Sequence, residues 1–116
     1  MHRGTMSSGC APHDGPSTEL RLEAADGEVW VSFNLWPAEG VIPPSTVRFD
    51  GDRAIGQGAY CVGPDTCVPA AWGEVVLVGA STSADVRGEW TLGMPDGQVH
   101  RGTFQAEWLA IQAFCG

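Results

Sequence analysis

The 116-residue chain contains no lysine, so its six basic side chains are all arginines, and they face fourteen acidic residues. The resulting formal net charge of −8 at pH 7 repels nucleic-acid phosphates and anionic lipid surfaces alike. We therefore expect no nucleic-acid partner. A run of about 18 apolar residues, the length typical of a transmembrane helix, is also absent. The sequence thus predicts no transmembrane segment.

Signatures of common catalytic sites are missing as well. The chain has no Gly-x-Ser-x-Gly nucleophile turn, no phosphate-binding loop and no His-Glu-x-x-His motif. His100 and Asp96 could suggest acid–base chemistry, but a histidine beside a turn is more often a rim residue. Asp50 and Asp52 could face a cation, yet calcium takes roughly six to eight oxygen ligands. We expect no enzyme activity, catalytic residue, metal site or cofactor; a small metal-dependent enzyme is the weakest alternative.

What the chain does have is a succession of short alternating runs, separated by turns rich in its sixteen glycines and eight prolines. This pattern predicts an all-β fold, a small antiparallel β-sandwich or barrel of about six to eight strands. We expect one domain over residues 18–116, preceded by a flexible polar N-terminal tail at residues 1–17. Residues 72–80 are apolar on both faces and are the best candidate for a central strand.

The clearest element is a hairpin built around Pro95, Asp96 and Gly97. Proline followed by aspartate and glycine is typical of a three-residue loop with glycine in the left-handed conformation. The alternation of the two flanking runs predicts that each aromatic ring covers a glycine on the neighbouring strand. The predicted cross-strand pairs are Met94 with Gln98, Leu92 with His100, Trp90 with Gly102, and Gly88 with Phe104.

Residues 28–36 read as a strand with two different faces. Alternate residues from Val29 to Leu35 are apolar and predict a core face. The opposite face carries four candidate ligand-binding residues: Trp30, Ser32, Asn34 and Trp36. Tryptophan on a flat sheet can stack on a sugar or an extended peptide, with the serine and asparagine as hydrogen-bonding partners. A second layer or a covering loop would bury the same side chains instead, and the sequence leaves both alternatives open.

The four cysteines fall into an inner and an outer pair. Cys61 and Cys67 bracket a turn-rich loop and are the favoured disulfide, whereas a bridge between Cys10 and Cys115 would join the two ends of the domain. Cys10 also lies in a Ser-Gly-Cys-Ala segment similar to a lipoprotein cleavage site, so lipidation, a disulfide and a free thiol all stay open for it. Zinc is disfavoured because no second close cysteine pair exists. Disulfides imply an oxidising compartment outside the cytoplasm.

The C-terminal hairpin resembles a pattern found in small secreted lipoproteins of high-GC bacteria, in which a G-x-W-x-L strand leads through Asp-Gly to G-T-F-x-A and a late cysteine. The matching residues are Gly88, Trp90, Leu92, Asp96, Gly97, Gly102, Thr103, Phe104, Ala106 and Cys115. The resemblance covers about a third of the chain. It implies a bacterial cell-envelope or secreted location and a small β fold, and no activity.

Taken together, these observations predict a non-catalytic, extracytoplasmic β-domain of the binding or interaction type. Its partner could be a protein or a glycan, with Trp30 and Trp36 as the platform. The alternative is a purely structural surface protein without a small-molecule ligand. Exposure of the two tryptophans is the property that separates the two hypotheses.

Overall fold

The computed structural model describes residues 2–12, 15–38, 40–41, 44–51, 55–80 and 85–109. Within these segments the regular secondary structure is entirely β-strand, and nine strands join one hydrogen-bonded sheet. No helix capable of crossing a membrane occurs in the same segments. The all-β prediction is confirmed.

The nine strands are numbered in chain order, which differs from their order across the sheet. They are β1 (His2–Cys10), β2 (Pro16–Glu23), β3 (Val29–Leu35), β4 (Ser45–Phe49), β5 (Gly56–Val62), β6 (Thr66–Pro69), β7 (Trp72–Ala80), β8 (Asp85–Gly93) and β9 (Val99–Trp108). Their order across the sheet is β4-β7-β8-β9-β1-β2-β3-β5-β6. Every pairing is antiparallel except that of β1 with β9, which is parallel.

The sheet curls so that one of its faces encloses the core. Rings on strands that are not hydrogen-bonded neighbours meet across the interior. The centroid of Phe33 on β3 lies 6.3 Å from that of Phe49 on β4 and 6.4 Å from that of Trp90 on β8. A single sheet has no second layer to cover its apolar face, so this curvature is what removes the core from water.

The β8–β9 hairpin has the predicted register, including all four of its predicted pairs. Gly97 adopts φ 94°, and the Gln98 backbone N–H donates to Asp96 Oδ1 at 2.9 Å. A Cβ on Gly88 would lie 2.8 Å from Phe104 Cζ, and one on Gly102 would lie 2.8 Å from Trp90 Nε1. The rings therefore rest on bare backbone, as the alternation predicted.

The prediction of a flexible tail at residues 1–17 is wrong for β1 and for the start of β2. Strand β1 lies inside the sheet, where Met6 pairs with Leu20 on β2 and with Trp108 on β9. The segment is polar because Met6, 1% exposed, is its single large core side chain. Backbone pairing with the strands on both sides holds β1 in the sheet. Such pairing leaves no local hydrophobic pattern in the sequence.

Strand β7 is an interior strand, as its sequence predicted, because it pairs with β4 on one side and β8 on the other. Its apolar residues do not all enter the core, however. Val75 and Leu77 are buried, whereas Val78 is 64% exposed. A one-layer sheet leaves its outer face to water, which explains why apolar residues on both faces did not mean burial on both faces.

Truncating Phe104 to alanine should lower the free energy of unfolding by about 3–5 kcal/mol, because a fully buried ring over Gly88 is replaced by a cavity. Thr103→Ala, one residue earlier on the exposed face, should cost within about 0.5 kcal/mol. Urea midpoints of the two variants measure the difference. Equal losses would mean that the two faces of β9 are assigned the wrong way round.

Met6→Ala tests whether β1 belongs to the folded sheet. Because the Met6 side chain is part of the core, its truncation should cost about 2–5 kcal/mol in urea unfolding. Ser8→Ala on the same strand, at an exposed position, serves as the control and should change stability by less than about 0.5 kcal/mol. A flexible tail would make both substitutions neutral, and that result would contradict the pairing of β1.

Candidate functional site

A groove runs across the outer face of the sheet, over strands β2, β3 and β5. It has a volume of about 570 Å³. Trp30, Ser32 and Asn34 line it because they are alternate residues of β3, on the face opposite the buried Val31, Phe33 and Leu35. Three of the four residues predicted to bind a ligand therefore share one surface. The rest of the lining includes Glu19, Arg21, Gln57, Ala59 and Pro69 from neighbouring strands.

Trp30 is half-buried, and two contacts hold its side chain in place. Its indole Nε1 donates to the Gly63 carbonyl oxygen at 2.8 Å, and the Arg21 guanidinium carbon lies 4.0 Å from the ring centroid. A guanidinium at this distance is held by a cation–π attraction. The ring is therefore neither inside a second core layer nor fully bare: an exposed arginine covers it.

Asn34 links the groove to the end of β1. Its Nδ2 donates to the Cys10 carbonyl oxygen at 3.1 Å, while its Oδ1 is buried with no hydrogen-bond partner among the described residues. An unpaired buried acceptor costs free energy unless a donor reaches it. The Asn34 amide thus joins the outer face of β3 to the end of β1, while its Oδ1 stays without a partner among the described residues.

Trp36 does not lie with the other three residues. Strand β3 ends at Leu35, and the Trp36 backbone amide donates to Ile55 O at 2.7 Å as the chain leaves the sheet. Its side chain lines a separate cleft of about 270 Å³ together with Ser8, Pro16, Thr18 and Pro37, among others. Period-two alternation predicted a shared face, but that alternation stops where the strand stops.

Sequence reasoning did not include Glu19, Arg21 and Gln57 in the site. Arg21 pairs with Ser32, and Glu19 and Gln57 both pair with Asn34, so all three lie beside the β3 residues on the outer face. The side chains of Glu19, Ser32 and Gln57 make no hydrogen bond or ion pair within the described part of the chain. Outward positions of β2 were visible in the sequence, but the pairing of β3 with β5 was not.

The predicted disulfide between Cys61 and Cys67 is present, with Cα atoms 4.1 Å apart. The bridge joins β5 to β6, and Cys61 on β5 pairs directly with Trp30 on β3. The bridge therefore stabilises the β5–β6 pair at one end of the groove. Cys10 is also disulfide-bonded, and its proposed partner Cys115 lies outside the described residues.

His100 and His2, singled out in the sequence or found beside the core, each lie against an aromatic ring. His100 stacks on Tyr60, with ring centroids 4.1 Å apart, and His2 meets the Trp90 ring edge-on at 5.2 Å. Burial lowers the pKa of His2 below its ordinary value. His13 and Asp52 lie outside the described residues. Within the described ranges, no three histidine, cysteine or acidic side chains come together as metal ligands could.

The chain matches no protein-family model, no curated protein and no solved structure in the comparisons made with known proteins. Its function is therefore inferred from the geometry of the groove.

Arg21→Ala should uncover Trp30 and increase quenching of its fluorescence by acrylamide. The free energy of unfolding should fall by no more than about 1 kcal/mol, since both side chains are partly exposed. Trp30→Phe provides the reference, because the effect of the arginine substitution should vanish in that background. Unchanged quenching after Arg21→Ala would show that the guanidinium does not cover the ring in solution.

Proposed function

We propose that this protein is a non-catalytic, extracytoplasmic binding module whose outer groove recognises a neutral glycan. The observation that carries the proposal is the position of Trp30 beside three polar side chains without partners in the described chain, Glu19, Ser32 and Gln57, in one groove of about 570 Å³. An aromatic ring next to unpaired donors and acceptors is the combination that a sugar requires.

The chemistry of the lining supports a sugar. A pyranose ring has an apolar face that packs on an indole and a rim of hydroxyl groups that both donate and accept. Glu19 supplies acceptors, Ser32 supplies a hydroxyl that does either, and the Gln57 amide supplies both kinds of group. One acidic and one basic side chain, Glu19 and Arg21, line the same groove, so neither sign of ligand charge is favoured.

An extended peptide fits the groove less well. Strand β3 pairs with β2 on one side and β5 on the other, so its backbone has no free edge. A peptide that adds to a sheet gains most of its affinity from such an edge. A peptide in this groove would depend on side-chain contacts alone, whereas a glycan uses side-chain contacts in any case.

The extracytoplasmic location is supported by the Cys61–Cys67 disulfide, because thiols in the cytoplasm are normally kept reduced. The hairpin of β8 and β9 also resembles that of small secreted lipoproteins of high-GC bacteria. Both observations favour the bacterial envelope or secretion.

A purely structural surface protein is the second candidate, and specific contacts favour it. The Arg21 guanidinium already occupies a position over Trp30, and the Asn34 amide is already bonded to Cys10. Under this alternative the outer face is stabilised by its own side chains. A sugar must instead displace Arg21 from the ring or bind the edge that the arginine leaves open.

Trp30→Ala should weaken binding to an array of neutral oligosaccharides by at least roughly tenfold, equal to about 1.4 kcal/mol, because it removes the stacking surface. The matched control is Trp72→Ala. Trp72 is also half-buried and also lies under an arginine, with Arg48 Cζ 4.8 Å from its ring centroid, but it does not line the groove.

Retained binding in Trp72→Ala together with loss in Trp30→Ala would support the glycan proposal. If the two substitutions change the affinity for the sugar equally, the sugar binds elsewhere than at Trp30. The structural alternative predicts that the unaltered protein binds no sugar on the array, and that result would reject a glycan function.

A further inference from the structure

A second cleft lies where the β5–β6 and β8–β9 hairpins meet at one end of the curled sheet. It has a volume of about 460 Å³. Its apolar lining comes from Tyr60, Val68, Met94 and Pro95, and its polar lining includes Asp96 and His100. The cleft is on the inner face of β5, since Tyr60 pairs with the buried Val31, whereas the groove described above is on the outer face.

The cleft has the composition of a small-molecule site. Such sites commonly have volumes of ~300–1,000 Å³, occur at barrel mouths and combine an apolar wall with few polar groups. Val68, on the apolar wall, is 47% exposed. Met94, only 8% exposed, forms the floor. The apolar surface is thus accessible from solvent and belongs to a concavity.

An aromatic pair forms one part of this lining. The rings of Tyr60 and His100 stack with centroids 4.1 Å apart and planes 14° from parallel. Neither side chain makes a hydrogen bond or ion pair within the described residues. Aromatic rings favour a further aromatic ring, and the thioether of a methionine packs well against one. The lining therefore suits a ligand with a planar ring.

The charges around the cleft determine whether it attracts a cationic or an anionic ligand. Asp96 is the charged residue of the lining, and its Oδ1 accepts from the Gln98 amide, which leaves Oδ2 free to receive a donor. No arginine among the described residues lines the cleft; Arg101, next to His100, lies on the opposite face of β9. The whole chain also carries a net charge of −8. An anion is repelled here, and a cation is attracted.

We propose that this cleft binds a small aromatic amine, with the ring against Tyr60, His100 and Met94 and the ammonium group beside Asp96. The site is independent of the outer groove and does not rest on the proposed glycan function.

The chain has a single tyrosine, Tyr60, so 13C-labelled tyrosine provides one ring signal that reports on the cleft. Titration with 2-phenylethylamine should shift this signal saturably. 3-Phenylpropionate, which has the same ring and spacer but a carboxylate, should bind at least about fivefold more weakly, as expected for about 1 kcal/mol from an exposed charge pair. Equal binding of the two compounds, or no saturable shift with either, would overturn the proposal.

Two substitutions locate the ligand. Asp96→Asn preserves an oxygen acceptor for the Gln98 amide but removes the charge, so it should abolish the preference for the amine over the carboxylate. Val68→Trp should fill the cleft and abolish binding, whereas Thr66→Trp on the same exposed strand, outside the cleft, should not.

An unchanged amine preference in Asp96→Asn, or unchanged affinity in Val68→Trp, would place the amine elsewhere and overturn the assignment. If Val68→Trp fails to fold, the Asp96→Asn comparison decides alone, because that turn keeps its hydrogen bond.

Discussion

Burial of one face of a single sheet is the constraint on which the rest of this structure depends. No second layer covers that face among the described residues, so the nine strands must curl until side chains from distant strands meet. Close approach then requires backbone without Cβ atoms. Gly88 lies under Phe104, and Gly58 lies against Leu92 and Phe49. Large rings and glycines are complementary parts of one packing solution, in which the ring fills the volume that the glycine leaves.

The same constraint explains which parts of the structure were predictable. The β8–β9 hairpin could be predicted to its exact pairing because its turn residues and its alternation are both local. Strand β1 could not, since Met6 is its one large core residue and one of its two partner strands, β9, lies far along the chain. In the site, Trp30, Ser32 and Asn34 follow from alternation within β3. Gln57 depends on the β3–β5 pairing, which no local pattern reveals.

An outer face without a covering layer has to stabilise its own aromatic side chains. Two tryptophans on this face, Trp30 and Trp72, lie beneath guanidinium groups, those of Arg21 and Arg48. Arginine suits this role because its flat, weakly hydrated cation stacks on a ring, whereas a lysine ammonium is a compact and strongly hydrated charge. Two of the six arginines of this lysine-free chain thus cover indole rings on the outer face.

Strand β6 forms one edge of the sheet, and its pairing with β5 has a consequence for self-association. The amide of Ala70 donates to Gly58 O, so Ala59 and Pro69 are a non-hydrogen-bonded pair, and Pro69 therefore directs its nitrogen away from β5. Proline has no N–H at that position, and the outward N–H of Cys67 is the remaining donor of the strand. A strand from another molecule would find too few hydrogen bonds along this edge to extend the sheet. Addition of strands at β6, the route by which an exposed sheet edge grows into a fibril, is thus disfavoured.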